Sequence, residues 1–212
     1  MKFRTVLSAH AIAASVWLGS GCFVAAAADT IPVAWVLGNE AEFSLLIDDS
    51  APLEGLSCAK LSARGGNPAN PGSMTQIINA AAYGGKRLRM TAAVRTQGVS
   101  GWAGIWMRVD QKDGAVVALD NMINRPIKGS SDWNLYDVVL DIPKDASVIA
   151  FGALLNGPGL MWIDDVRLEV VSQDVRAFFP FATPVKKAQV KDKWILDAPR
   201  NLEFEQTDTS AY

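Results

Sequence analysis

One short segment holds the side chains best suited to contacting a ligand, Gly101–Asp110. Strand alternation sends Trp102, Trp106 and Arg108 to one face and apolar residues to the other. Indole rings stack on the C–H face of a sugar, while a guanidinium donates to its hydroxyl groups. Gly104 would leave a gap between the rings. The segment therefore predicts an aromatic ligand platform, although a buried core with an arginine at its edge is the alternative.

Polar residues on neighbouring predicted strands would complete this platform. Gln76 lies in the middle of one strand, and Asn121 and Arg125 follow another. Their amide and guanidinium groups would contact polar atoms of a ligand. Surface Asn and Arg residues also occur without a ligand, so these three assignments depend on the platform.

The chain lacks the residues of the common hydrolytic sites. Its only histidine, His10, lies in an N-terminal segment that we expect to be removed, as does Cys22. Without histidine there is no nucleophile–histidine pair and no imidazole zinc site. The adjacent acids Asp48–Asp49 and Asp164–Asp165 point to opposite faces of a strand, so neither pair acts jointly as acid and base. We predict a binding protein and no enzyme.

Residues 1–28 have the pattern of a secretory signal peptide. Lys2 and Arg4 form a basic start, an apolar stretch follows at Ala11–Leu18, and small residues end it at Ala25–Ala28. A membrane anchor is the alternative, but Gly19–Gly21 interrupts a stretch already shorter than the ~20 residues of a spanning helix. We expect export to the periplasm or the medium, with no membrane span after cleavage.

The charge of the exported chain narrows the class of partner. The whole chain has 20 basic and 22 acidic side chains, and the loss of Lys2 and Arg4 leaves 18 basic residues and a net charge near −4. Proteins that bind nucleic acid usually carry a cluster of Lys and Arg residues, and this sequence has no such basic cluster. The expected partner is a glycan or small molecule, with an envelope protein–protein interaction or assembly module as the alternative.

Short alternating stretches bounded by Gly, Pro, Asn and Asp fill residues 31–172 and predict an all-β domain. The predicted strands are Phe43–Asp48, Cys58–Ala63, Met74–Asn79, Lys86–Thr96, Gly104–Asp110, Ala115–Asn121, Trp133–Asp141, Ser147–Leu155 and Trp162–Val171. This number of short strands predicts a two-sheet antiparallel β-sandwich of the jelly-roll type. Residues 173–212 alternate poorly and contain several prolines, so we expect an extended C-terminal arm, with Trp194–Leu196 docked on the sandwich.

An ordered series of motifs resembles a family of bacterial galactose-binding-like domains. The motifs are Tyr83–Arg95, Gly101–Asp110, Asp120–Met122, Arg125–Gly129, Asp132–Trp133 and Gly159–Leu168. Such domains resemble jelly-roll carbohydrate-binding modules, and the match covers about Trp35–Val171. Members are often labelled AraC-type transcriptional regulators, a label that belongs to a helix-turn-helix domain not found in this sequence. The resemblance implies a β-sandwich and, by analogy, glycan binding.

A structural calcium ion is the one cofactor that we consider. Carboxylate oxygens suit hard cations, and Asp164 follows a Gly-Pro-Gly turn, although a solvated surface acid is the commoner outcome. In modules of the resembling type, an opening Asn-Leu-x-Phe-Glu strand often helps to hold calcium. Here Asn201–Gln206 carries that pattern near the C-terminus. We hypothesise that it folds back as an added strand and places Glu205 near Asp164; alternatively, it begins a second module.

Overall fold

The structure is a computed structural model that describes residues 31–177 and 190–206. The predicted signal peptide, with His10 and Cys22, lies outside the described residues. Within those two ranges, no helix is long and apolar enough to cross a membrane.

Ten β-strands and one short 3-10 turn make up the described chain. The strands are β1 (Val36–Gly38), β2 (Phe43–Asp48), β3 (Cys58–Ala63), β4 (Gly72–Asn79), β5 (Arg87–Gln111), β6 (Val116–Asp120), β7 (Ile127–Asp141), β8 (Ala146–Asn156), β9 (Leu160–Val171) and β10 (Ile195–Leu196), and the 3-10 turn is Asp192–Trp194. The nine predicted strands all occur. Two of them, however, are halves of the 25-residue strand β5.

Strand β5 joins the two sheets because it belongs to both. Its first half pairs with β7 and β9, and its second half pairs with β6 and β8. Sheet I has the order β2-β3-β9-β5-β7, and sheet II has the order β1-β4-β8-β5-β6. The pairing register with β7 shifts between Thr96 and Ala103, where Gly98 has a left-handed φ of 63°. Such irregularities bend a strand without ending it, which is why the sequence suggested a break there.

The hydrophobic core lies between the sheets and has the predicted composition. On β5, the alternate residues Ile105, Met107 and Val109 are fully buried and join the main apolar cluster. Phe43 and Phe151 contribute fully buried rings to the same cluster. The predicted two-sheet antiparallel β-sandwich is therefore confirmed. The β5 residues between these core residues point to the outer face of the sheet, because side chains alternate along a strand.

The C-terminal arm returns to the sandwich through strand β10. Ile195 and Leu196 pair in parallel with Ile77 and Ile78 of β4, at the edge of sheet II. Trp194 and Ile195 pack against the apolar outer face of this sheet. The arm thus covers part of a sheet face that would otherwise be open to solvent.

Residues 201–206 dock on the sandwich without forming a strand. Asn201 and Phe204 have left-handed φ values of 49° and 56°, so the chain turns and cannot continue a ladder. The indole N–H of Trp35 donates to the carbonyl of Asn201 at 3.0 Å, and Phe204 is fully buried with its ring 5.3 Å from that of Trp35. The added strand that we hypothesised is therefore wrong, although the segment closes one end of the core.

Candidate ligand-binding site

The predicted platform residues lie on the outer face of sheet II. Trp102 and Arg108 are half-buried, and Trp106 is 7% exposed in an apolar cluster separate from the main core. The alternation argument therefore placed these side chains on the correct side of β5. The indoles do not lie between the two sheets.

The gap expected at Gly104 is filled by the loop that follows β6. A Cβ atom at Gly104 would lie 2.9 Å from the Cβ of Met122 and 3.3 Å from the carbonyl oxygen of Asn121. Gly104 therefore permits the close approach of this loop rather than leaving room for a ligand. Trp102 and Trp106 do not form one continuous aromatic surface.

The C-terminal arm covers Trp106. Ile77, Val148 and Ala150 surround it on sheet II, and Val190 and Trp194 of the arm pack against the same cluster. The expectation of an open indole platform is wrong for Trp106, because the sequence does not show that a distant segment returns over this face.

The indole N–H of Trp106 is nevertheless without a hydrogen-bond partner. It is the one buried side-chain N or O atom in this condition within residues 31–177 and 190–206. Leaving such a donor unpaired costs about 1–3 kcal/mol, and native structures do so rarely. Within the described residues, the chain therefore supplies no acceptor for this indole N–H.

Next to Trp106, an ion pair fixes the predicted arginine. The guanidinium of Arg108 lies 5.9 Å from the Trp106 ring, and its Nε and Nη2 donate to the carboxylate of Asp110 at 2.9 Å each. Burial raises the pKa of Asp110, although the charge of Arg108 and its hydrogen bond act in the opposite direction. The pair presents a positioned polar group at the edge of an apolar cluster.

A cleft of about 540 Å³ opens beside Asp110, and we call it the arm cleft. Its lining comprises Asp110, Gln111, Lys112, Asp113, Gly114, Ser147, Val148, Val190, Asp192 and Ile195. Val148, Val190 and Ile195 also belong to the cluster around Trp106. The cleft has the size of small-ligand sites, and its lining combines an apolar wall with six polar or charged residues, three of them aspartates.

Gln76 is not part of this site. It is fully buried, its amide nitrogen donates to the carbonyl of Arg200, and its amide oxygen accepts the N–H of Arg200, each at 2.8 Å. Because both functional atoms are used, the assignment of Gln76 as a ligand residue is wrong. Its side chain fastens the arm to β4.

Asn121 and Arg125 stabilise the loop after β6. Arg125 makes two hydrogen bonds to the carboxylate of Asp120, at 2.9 and 2.7 Å, and donates to the carbonyl of Asp137. The side-chain oxygen of Asn121 accepts the N–H of Ile123 at 3.2 Å. Both residues have local partners, so their roles as ligand contacts stay predictions.

The two predicted metal ligands bind the loop between β2 and β3. Asp164 accepts the N–H groups of Leu53 and Glu54, at 2.9 and 3.3 Å, and Glu205 accepts those of Leu56 and Ser57, at 2.8 and 3.4 Å. Carboxylate oxygens aimed at N–H donors are poorly placed for a cation. In the described part of the chain, no group of three or more His, Cys, Asp or Glu is suited to a metal. These residues do not fit a calcium ion, and the calcium site stays a prediction without geometric support.

Sequence reasoning missed a second group of charged and aromatic residues, on the outer face of sheet I. Lys60 on β3 and Arg95 on β5 lie over the ring of Trp162 on β9, with 5.4 and 5.1 Å to its centroid. The strand register pairs Lys60 and Arg95 directly with Trp162. Alternation alone could not reveal this group, because the contact depends on which strands are neighbours.

Asp48 holds both Trp162 and Lys60 in place. Its carboxylate accepts the indole N–H of Trp162 at 2.9 Å and the backbone N–H of Ser50 at 3.0 Å, and the ammonium of Lys60 lies 3.4 Å away. Burial by itself would raise its pKa, but the hydrogen bonds from Ser50 and Trp162, together with Lys60, lower the pKa to about 2.

This lowered pKa predicts acid sensitivity with a defined sign. The pKa of Asp48 is lower in the folded than in the unfolded chain, so its stabilising effect is complete above pH ~4 and is lost as the pH falls towards 2. We expect Asp48→Asn to lose at most about 2 kcal/mol at neutral pH and to approach the wild type near pH 2. Urea unfolding across this range measures the effect, with the exposed Asp49→Asn as control; a difference independent of pH would contradict the assignment.

The fold is similar to that of solved β-sandwich structures. No protein-family model matches the chain. The structure is similar to the enzymatically active domain of tailspike protein 4 of bacteriophage CBA120, with a TM-score of 0.52 and 16% identity over 66% of this chain and 20% of that one. It is less similar to the xylan-binding CBM22-1 domain of Paenibacillus barcinonensis Xyn10C, with a TM-score of 0.47 and 10% identity over 65% and 85% of the two chains.

In sequence, the chain is similar to YbfP of Bacillus subtilis (strain 168), an uncharacterized HTH-type transcriptional regulator. The two are 42% identical over 134 residues, which cover 63% of this chain and 42% of YbfP. The chain thus spans less than half the length of this relative. A relative with a regulator label was expected from the family resemblance, and this expectation is confirmed. The part of this chain that the structure describes contains no α-helix.

Proposed function

We propose that the protein is an exported, non-catalytic module that binds a carbohydrate or another small polar ligand on the outer face of sheet II. The carrying observation is the unpaired, buried indole N–H of Trp106, which lies beside the Arg108–Asp110 ion pair. A ligand hydroxyl group that accepts from this N–H would remove the cost of the unpaired donor.

The arm cleft supports the same class of ligand. Val148, Val190 and Ile195 provide apolar contacts for C–H groups, while Ser147 and the amide oxygen of Gln111, whose nitrogen donates to Asp145 at 2.6 Å, provide hydrogen-bonding groups at the same cleft. A sugar ring presents both kinds of surface. Trp102 lies further along the same face and would contact a longer ligand.

The proposed absence of catalysis rests on the available side chains. The sequence has no histidine after His10, and the buried carboxylate of Asp110 is held by Arg108. Export is tested separately by N-terminal sequencing of the mature protein, for which cleavage after Ala28 is expected.

Trp106→Phe tests the proposed donor without emptying the cluster. Phenylalanine keeps most of the ring packing and removes the unpaired N–H, so the melting temperature should stay the same or rise. Ligand affinity should fall roughly two- to tenfold, the value of one hydrogen bond. Affinity electrophoresis against xylan, galactan, arabinan and β-glucan measures the change.

Trp133→Phe on sheet I is the matched control and should leave the affinity unchanged. Retained affinity in Trp106→Phe would exclude the indole N–H as a ligand donor. If the wild type is retarded by none of the four glycans, the carbohydrate proposal is wrong.

A protein partner is the second candidate function. Leu53 and Leu56 lie on one loop and are 43% and 77% exposed, and exposed apolar side chains on a loop are typical of protein contacts. Under this proposal, Leu56→Ser would abolish the capture of an envelope protein while leaving glycan retardation intact.

A further inference from the structure

The outer face of sheet I holds a rigid aromatic–cation stack. Trp162 is only 6% exposed because the side chains of Arg95 and Lys60 lie over its ring. Its N–H is bound by Asp48, so the indole cannot turn. The Arg95 guanidinium therefore rests on a fixed surface, which limits its own orientations.

Arg95 differs from the other arginines of the described strands. Arg87, Arg89, Arg108 and Arg167 each form an ion pair with an aspartate or glutamate. Within the described residues, the Arg95 guanidinium lies over the ring of Trp162 and forms no ion pair. A planar, stacked guanidinium without a carboxylate partner is suited to bind one from a ligand in a bidentate manner.

Arg95 lines a hollow of about 300 Å³, together with Thr96, Gln97, Ser130, Ser131 and Asp132. One oxygen of Asp132 accepts the N–H of Trp133 at 2.9 Å. The hollow therefore combines one positive group, one negative group and several hydroxyl and amide groups. A simple inorganic anion would be repelled by Asp132, whereas ligand hydroxyl groups would donate to it.

We propose that this hollow is a second binding site, specific for a sugar acid such as a uronic acid residue. The carboxylate of the sugar would pair with Arg95, and its hydroxyl groups would bind Asp132, Gln97 and Ser130. The site lies on sheet I and does not depend on the function proposed for sheet II. A neutral sugar would leave Arg95 unpaired, so the site should discriminate by charge.

Isothermal titration with trigalacturonate, trimannuronate and neutral galactotriose tests this proposal on the full mature chain. At low salt, we expect one of the acidic trimers to bind at least about tenfold more tightly than galactotriose. Arg95→Gln should reduce that affinity about tenfold or more, since a charged hydrogen bond is lost, with little change in melting temperature. Arg89→Gln is the matched control, because Arg89 lies on the same strand and is paired with Glu169.

The proposal is overturned by equal affinity for acidic and neutral trimers, by an unchanged affinity in Arg95→Gln, or by no binding of either acidic trimer at millimolar concentration. Trp106→Phe should leave the binding of the acidic trimer unchanged. If Trp106→Phe loses affinity for the acidic trimer, the acidic ligand binds on sheet II and the second site is overturned. If the wild type is not retarded by the four neutral glycans, only the function proposed for sheet II is wrong.

Discussion

Phe204→Ala should destabilise the whole sandwich by about 3–5 kcal/mol, the usual cost of truncating a fully buried phenylalanine. Phe204 is 0% exposed and its ring packs on Trp35, which in turn contacts Phe151 of β8 in the main core. Truncation would open a cavity at the end of the core and loosen the segment that carries it. Urea unfolding, followed by tryptophan fluorescence, measures the loss in a single transition.

Gln206→Ala is the control on the same segment, because its side chain is exposed and its hydrogen bonds to Asn201 and Val33 are made by the backbone. We expect its effect to stay within about 0.5 kcal/mol. If Phe204→Ala lowers the free energy of unfolding by less than about 1 kcal/mol, the arm is not part of the cooperative unit, because truncating a ring in the core costs more than this.

The cost at Phe204 also bears on the sheet II site. Gln76 and Phe204 anchor the arm on both sides of Asn201, and Val190 and Ile195 of this arm line the arm cleft. Loss of either anchor should therefore weaken glycan retardation as well as stability. The arm is a wall of the proposed site, which joins the fold of the C-terminal segment to its function.

Local patterns in the sequence predicted what depends on local geometry. Alternation placed Ile105 and Met107 inside and Trp106 and Arg108 outside, because the direction of each side chain follows from its neighbours along one strand. The nine strands were predicted for the same reason. The short strands β1 and β10 and the bend within β5 were missed, the last because glycine commonly ends a strand whereas Gly98 here permits a change of sheet.

Contacts between distant residues could not be predicted in this way. Trp35 and Asn201 are 166 residues apart, and Gln76 and Arg200 are 124 apart. No periodic pattern reports such pairs, so the cover over Trp106 was missed. The Asn-Leu-x-Phe-Glu pattern of the resembling family suggested a strand at residues 201–206. In the structure this segment is irregular, and Phe204, in a left-handed conformation, is fully buried in the core.

The sequence suggested a metal at Asp164 because this carboxylate follows a Gly-Pro-Gly turn, with a solvated surface acid as the alternative. Asp164 is 1% exposed, and buried carboxylates commonly serve either cations or backbone donors. Burial raises its pKa, while hydrogen bonds from Asp165, Leu53 and Glu54 act to lower it. Those three N–H groups occupy the carboxylate, and Glu205 binds the next part of the same loop. Geometry thus favours loop capping over calcium.

Asp164→Ala should accordingly cost about 2–4 kcal/mol, because three backbone donors lose their acceptor and the exposed part of the loop recovers only some of them through water. The loss should be equal in excess calcium and in EDTA. Glu205→Ala, at an exposed carboxylate that binds the same loop, should cost less and should be equally insensitive to calcium. A bound ion would instead raise the melting temperature of the wild type in calcium and leave Asp164→Ala unmoved. That outcome would contradict loop capping and restore the metal site, so one pair of unfolding curves decides between the two roles of the same carboxylate.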